Sequence, residues 1–135
     1  MTLVDSNVLI DILGGDPVWA RLSARTLAEC ATRGGIVIND VVYAELSAGF
    51  LQQSRLDVEL EAMRLTLAPM SKDALFQAGQ AFSRYRASGG PRPNVLADFF
   101  LGAQARVERW SILTRDSRRY RTYFPDVVIS GVSGA

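Results

Sequence analysis

The chain reads as an α/β protein with a central, mainly parallel sheet covered by helices on both faces. Two observations carry this reading. Short apolar runs at Thr2–Val4, Ile36–Ile38, Ser111–Thr114 and Val127–Ile129 have the length and composition of buried strands. Between them lie stretches with apolar residues at helical spacing, opened by Ser, Asn or Asp and several of them closed by glycine. Strands interleaved with helices pair in parallel through right-handed crossovers, which gives a three-layer α/β/α arrangement.

Thr2-Leu3-Val4 ends at Asp5, and Ser6 is placed to cap a helix through Leu13 with Val8, Leu9, Ile12 and Leu13 on its apolar face. Gly14-Gly15 stops it. Asp16-Pro17, a cap followed by proline at the first helical position, opens an alanine- and leucine-rich helix to about Arg33. Gly34-Gly35 releases the chain into Ile36–Ile38, and Asn39 or Asp40 caps a helix from Val41 to about Gly49. Arg55–Leu67 is read as a further helix with alternating faces, followed by a strand at Leu67-Ala68-Pro69-Met70. Ser71 caps a helix to about Ala87 whose buried stripe is Ala74, Ala78, Ala81, Phe82 and Tyr85. The two glycines and two prolines of Ser88–Pro93 make a loop, and Asn94 caps the next helix, through about Arg109. After the strand Ser111–Thr114 come a helical turn at Asp116–Tyr120 and the last strand, Val127–Ile129. Residues 131–135 are expected to fray.

At 135 residues the chain fits one domain, 1–135, with enough length to bury a core. No apolar run approaches the roughly 18 residues of a membrane span, and the N-terminus lacks the basic segment of a signal peptide, so a cytoplasmic protein is expected. The single cysteine, Cys30, lies in a helix-like stretch with no histidine to activate it, and core packing is its expected role. The net charge of +1 hides an asymmetry: residues 1–83 carry six bases and ten acids, residues 84–135 nine arginines and four acids. Arg109, Arg115, Arg118, Arg119 and Arg121 cluster around Asp116. Each alone is explained by a solvated helix face with local ion pairs. As a group beside a candidate ligand they point to a polyanionic substrate, because the planar guanidinium donates paired hydrogen bonds to phosphate.

Four acids, Asp5, Glu45, Asp98 and Asp116, follow or sit among apolar residues and are expected to be buried. A carboxylate leaving water costs several kcal/mol unless its charge is compensated, and the chain has no histidine and one lysine. A shared Mg²⁺ or Mn²⁺ fits, since hard cations take carboxylate oxygens. Duller roles remain open for three of them: a helix cap for Asp5 and Asp116, a surface ion pair for Glu45. Asp98, in Leu96-Ala97-Asp98-Phe99-Phe100, is the most isolated charge in the most apolar helix. Asp11 and Asp40 are placed outside the direct ligands, with a capping role for Asp40.

Leu3-Val4-Asp5-Ser6-Asn7-Val8-Leu9, Ala44-Glu45-Leu46, Leu96-Ala97-Asp98-Phe99-Phe100-Leu101-Gly102-Ala103 and Thr114-Arg115-Asp116 together resemble PIN-domain ribonucleases, and the compact length resembles toxins of the VapC type. The order and spacing of the four acids carry the likeness over nearly the whole chain. Where many relatives have aliphatic residues after the third acid, Phe99-Phe100 stands here, a difference expected to alter packing more than chemistry. The resemblance implies a PIN-like sandwich with a mixed sheet, a homodimer, one or two Mg²⁺ or Mn²⁺ ions held by Asp5, Glu45, Asp98 and Asp116, and endonucleolytic RNA hydrolysis. Ser6, Asn7 and Thr114 carry over as supporting polar groups. A cognate antitoxin is implied as partner, with the helices at 6–13 and 41–51 as walls of its groove. Arg115, Arg118, Arg92 and Arg86 are the expected phosphate-binding residues. The competing reading is a noncatalytic protein-binding module whose acids pair structurally with arginines. Aspartyl-phosphate chemistry fits poorly: Asn7 stands where a haloacid-dehalogenase-like phosphatase needs a second aspartate, and the only lysine, Lys72, precedes the late strands where a response-regulator receiver needs one.

Overall fold

A computed structural model describes residues 1–90 and 96–132. Strands β1 (Thr2–Val4), β2 (Ile36–Ile38), β3 (Leu65–Leu67), β4 (Ser111–Thr114) and β5 (Ile129–Gly131) form one sheet in the order β3-β2-β1-β4-β5. Every pairing among the described residues is parallel, so the mixed sheet that the resemblance implied is replaced by a wholly parallel one there. Leu3 lies opposite Val37 on one side and Ile112 on the other. All three are buried, as a parallel sheet covered on both faces requires.

Helices α1 (Ser6–Leu13), α2 (Ala20–Arg33), α3 (Asp40–Ser47) and α4 (Gln53–Ala62) lie in the crossovers from β1 to β2 to β3. The return to β4 and β5 carries α5 (Lys72–Ala87), α6 (Leu96–Glu108) and α7 (Arg118–Tyr123). Right-handed crossovers put the first group over one face and the second over the other, and the helices pack chiefly within these groups.

Local chemistry explains the boundaries. Gly15, with φ of 65°, follows the end of α1 in the left-handed conformation glycine tolerates. Asp16 Oδ1 accepts from the backbone N–H of Val18 and Trp19, both at 2.8 Å, so the expected cap is present but a turn intervenes before α2. Asn39, not Asp40, caps α3 by accepting from Val42 N at 3.0 Å; the Asp40 carboxylate accepts instead from Met70 N at 3.4 Å. Ser71 caps α5 through Ala74 N. Asn94, the expected cap of α6, lies outside the described residues, as do Pro91–Pro93.

Three expected boundaries move. The helix expected to run to Leu67 stops at Ala62, because Arg64 takes up a left-handed φ of 62° and turns the chain into β3, which pairs at Leu65–Leu67 rather than 67–70. The turn expected at Asp116–Tyr120 is a helix at Arg118–Tyr123. The last strand pairs at Ile129–Gly131 rather than 127–129, since Val127 bonds back to Phe124 O in a turn; Gly131, expected in the tail, is therefore in the ladder.

Cys30 is fully buried in the core, as expected. An aromatic cluster holds α5, α6 and α7 together: the Phe99 ring lies 5.3 Å from Tyr85, 5.2 Å from Tyr123 and 6.2 Å from Phe124, between centroids. Each such contact adds about 0.5–1.5 kcal/mol beyond area burial. Gly102 lets α6 approach closely, since a Cβ there would overlap the Phe124 ring. This packing fixes where Asp98, one residue before Phe99, meets α7.

Candidate active site

The strand order reverses between β1 and β4, since the chain winds outward from β1 to β3 and then returns to the opposite side. At such a switch point the connections leaving two adjacent carboxyl ends diverge and open a crevice. Asp5 follows β1 at this place, and Thr114 ends β4 beside it.

Asp5 is 7% exposed. Its Oδ2 accepts from the Thr114 hydroxyl and the Tyr120 hydroxyl, each at 2.9 Å. Among the described residues every hydrogen bond to this carboxylate falls on Oδ2 and none on Oδ1. Burial, first, and the nearby charge of Asp98, second, push its pKa from 3.8 to about 6, against the two hydroxyl bonds; Glu45 adds a smaller push in the same direction. Thr114 Oγ1, which donates its hydrogen bond to Asp5, accepts from Asp116 N at 3.1 Å and Asn7 Nδ2 at 3.4 Å. Asn7 Oδ1 in turn accepts from Arg115 N at 3.2 Å, tying α1 to the loop after β4. Ser6, expected to cap α1, is instead its first residue and buried; Asp5 stands at the cap position, without a side-chain cap bond.

Asp98 sits in the first turn of α6, partly buried, with Oδ2 2.6 Å from Arg119 Nη1 and Oδ1 3.5 Å from the Tyr120 hydroxyl. Tyr120 thus spans Asp5 and Asp98 from a fully buried position. Burial raises the Asp98 pKa, partly offset by Arg119, and the Asp116 charge adds to the rise. Asp116 is exposed and gripped by Arg118 Nε and Nη2 at 3.1 and 2.9 Å, hydrogen bonds that hold its carboxyl below the usual range.

The expectation of four buried acids is corrected in two places. Asp116 lies beyond the end of β4 in the loop, with half its side chain exposed, and Glu45 is on an exposed face of α3. The second deeply buried acid is instead Asp11, 5% exposed, which accepts from Arg115 Nε at 2.8 Å and Nη2 at 3.2 Å. The Arg115 guanidinium also lies 4.9 Å over the Trp19 ring. Arg115, one of the expected phosphate ligands, is therefore committed to a structural pair. Arg118 is engaged by Asp116 but 89% exposed. Arg86 is exposed on α5, 6.0 Å from the Phe82 ring, and Arg92 lies outside the described residues.

Among the described residues no three acids stand close enough together to enclose an ion, and Asp98 and Asp116 are each paired with an arginine. The donor set itself fits a hard divalent cation: it is all carboxylate oxygen, and Asp5, raised first by its burial, is raised further by the nearby charges of Asp98 and Glu45. Tyr120 escaped the sequence reading as a site group, Arg119 was read there only as one of the arginine cluster, and Asp11 only as an acid outside the direct ligands. A phenol four residues after Asp116 in a short arginine-rich helix was the available signal for Tyr120. A groove of ≈ 520 Å³ opens alongside, between α1 and α3, lined by Ile10, Leu13, Leu46 and Phe50 with Glu45 among its walls.

Solved structures share this architecture. VapBC2 from Rickettsia felis bound to a promoter DNA fragment aligns with a TM-score of 0.75 at 20% identity, covering 98% of both chains. VapBC-1 from nontypeable Haemophilus influenzae aligns at 0.71 and 18%, covering 96% of each. A toxin–antitoxin complex from Klebsiella pneumoniae aligns at 0.68 and 21%, over 95% of this chain and 96% of that one. No curated protein sequence matches the chain. The PIN domain family model matches residues 2–125, nearly the whole length, and the chain belongs to the PIN domain family.

Proposed function

We propose that this PIN domain is the toxin of a type II toxin–antitoxin pair, a Mg²⁺- or Mn²⁺-dependent endoribonuclease of the VapC type held inactive by a cognate antitoxin. The observation that carries the reading is the pairing of Asp5 and Asp98 across Tyr120 at the sheet's switch point, with Asp5 raised to about 6 by burial and by its neighbour. Such a strained carboxylate pair is relieved by a cation. Asp5, Asp98, Asp116 and Glu45 are the residues that would hold it. A bound Mg²⁺ or Mn²⁺ supplies Lewis-acid polarisation of a phosphate oxygen and an activated water.

The chain's own groups do the rest. The Thr114 and Tyr120 hydroxyls hold Asp5 by Oδ2 and leave Oδ1 for the cation. Asn7 and Thr114 hold the loop carrying Asp116 against α1. Arg118 reaches an incoming RNA phosphate at small cost, because an exposed ion pair is worth only about 0–1 kcal/mol; Arg86 is a further phosphate ligand. The groove between α1 and α3 suits an amphipathic antitoxin segment, in line with the toxin–antitoxin complexes among the structural neighbours. A homodimer is the proposed assembly.

The noncatalytic alternative keeps one observation in its favour: Asp11, Asp98 and Asp116 are each paired with an arginine. Sequencing of RNA 5′ ends after incubation of total bacterial RNA with antitoxin-free protein in Mg²⁺ separates the two. Discrete new ends, lost in EDTA and in Asp98→Asn, are expected. No new ends from folded protein would transfer support to the binding module.

A further inference from the structure

Arg119 enters the crevice that its neighbour Arg118 avoids. Its side chain is 31% exposed against 89% for Arg118, Nη1 donates to Asp98 Oδ2 at 2.6 Å, and the guanidinium carbon lies 5.6 Å from the Tyr85 ring centre. A cation held on one side by an aromatic face and on the other by a carboxylate is fixed in place. Asp98 is the acid that the proposed nuclease site needs for its metal. A guanidinium 2.6 Å from Oδ2 and a divalent cation on the same carboxylate, even on Oδ1, stand as like charges a few ångströms apart in a partly desolvated crevice and repel each other.

We infer that Arg119 is a built-in placeholder for the divalent cation on Asp98, and that when the ion takes that carboxylate the guanidinium turns to a phosphate of the RNA substrate. The inference rests on the nuclease reading. Charge drives both halves. In the metal-free protein Asp5 and Asp98 share the Tyr120 hydroxyl and Asp116 adds to their repulsion, so Arg119 supplies compensating charge. With the ion in place that compensation is redundant, and the displaced guanidinium, still on α7 and beside Tyr85, borders the crevice where a polyanion lies. Arg119 then couples metal binding to substrate binding: RNA is gripped by this residue only when the metal is present. Arg118, held by an exposed Asp116, carries no comparable gate.

The test titrates Mn²⁺ calorimetrically into the wild-type chain, Arg119→Gln, Arg119→Lys, Asp98→Asn and the Arg119→Gln/Asp98→Asn double variant, with circular dichroism and melting as folding controls. Arg119→Gln is expected to bind Mn²⁺ about tenfold more tightly, ~1.4 kcal/mol. Lysine at 119 is expected to restore wild-type affinity, and the gain is expected to vanish in the Asp98→Asn background. A second arm measures fluorescence anisotropy of a 20-nucleotide RNA of randomised sequence, in EDTA and in Ca²⁺, a hard cation that takes oxygen ligands. Arg119→Gln is expected to match wild type in EDTA and to bind about fivefold more weakly in Ca²⁺. Unchanged or weaker Mn²⁺ binding by folded Arg119→Gln, with Asp98→Asn still losing the ion, overturns the placeholder and leaves the metal site standing. Equal Mn²⁺ affinity in wild type and Asp98→Asn overturns the site and the placeholder together. An RNA deficit of the same size in EDTA and Ca²⁺ overturns the coupling.

Discussion

Asp5 is expected to lower the stability of the metal-free protein at neutral pH, so that Asp5→Asn stabilises it. Burial and the Asp98 charge raise its carboxyl from 3.8 to about 6. Between those values the folded chain holds a proton that the unfolded chain releases, so stability is highest below about pH 4, falls as pH rises through 6 and is level above. A shift of about two pKa units corresponds to about 3 kcal/mol, a large share of the roughly 5–15 kcal/mol that holds a domain folded. Asparagine removes the charge and keeps an oxygen for the Thr114 and Tyr120 hydroxyls, while its new amide protons cost about 1–2 kcal/mol if left without acceptors. The net expectation in EDTA at pH 7.5 is a gain of about 1–3 kcal/mol over wild type, shrinking or reversing at pH 4. Urea unfolding of both proteins at the two pH values reads this as a difference, so titrations common to both cancel. Saturating Mn²⁺ is expected to stabilise wild type and leave Asp5→Asn unmoved. Equal stability at pH 7.5 with parallel pH dependences would mean that the buried Asp5 charge carries no cost.

Tyr120→Phe removes a hydroxyl donated to a buried carboxylate and is expected to weaken Mn²⁺ binding about tenfold, as loss of an outer-shell partner does; calorimetry on folded variant that gave wild-type affinity would end its role in orienting Asp5. Gly102→Ala is expected to destabilise by about 1–3 kcal/mol in urea unfolding, since its methyl overlaps the Phe124 ring; a neutral result would mean that α6 and α7 are less tightly apposed. Asp11→Ala is expected to cost about 2 kcal/mol by leaving Arg115 without its buried partner, and Asp11→Ala/Arg115→Ala less than the two single losses added. Additive losses would mean that the pair is not coupled.

The parts of the fold legible in the sequence are those set by local chemistry. β1, β2 and β4 are short apolar runs with sharp ends, and Asn39 and Ser71 cap the helices that follow them or their neighbours through side-chain bonds to residues three positions on. Interleaved helices implied the parallel pairing. The end of α4 was hidden because the residue that takes the left-handed φ is Arg64, where glycine is the usual signal. The displacement of β5 arises from a turn at Phe124–Val127 that buries Val127 without placing it in the ladder.

The candidate site divides in the same way. Asp5 and Asp98 stood out because each interrupts apolar sequence, and the fold brings them together at Tyr120. The arginine pairs around them are tertiary facts. Asp11 and Arg115 are 104 positions apart, Asp98 and Arg119 are 21 apart, and no pattern of spacing announces either pair. Tyr120 reads locally as a core aromatic, which its ring is; only packing aims its hydroxyl between two carboxylates. The exposure of Glu45 and Asp116 follows from their places on an outer helix face and in a loop beyond the strand end, where apolar neighbours in sequence are not neighbours in space.

Anomalous diffraction at the manganese edge from crystals of the protein soaked in Mn²⁺ tests most directly whether acids separated by most of the chain share one cation. A peak about 2.1 Å from carboxylate oxygens of Asp5, Asp98 and Asp116 is expected, with Arg119 moved off Asp98. A crevice without a peak, with the Arg119–Asp98 and Arg118–Asp116 pairs intact in crystals that take up Mn²⁺ elsewhere, would contradict a shared cation.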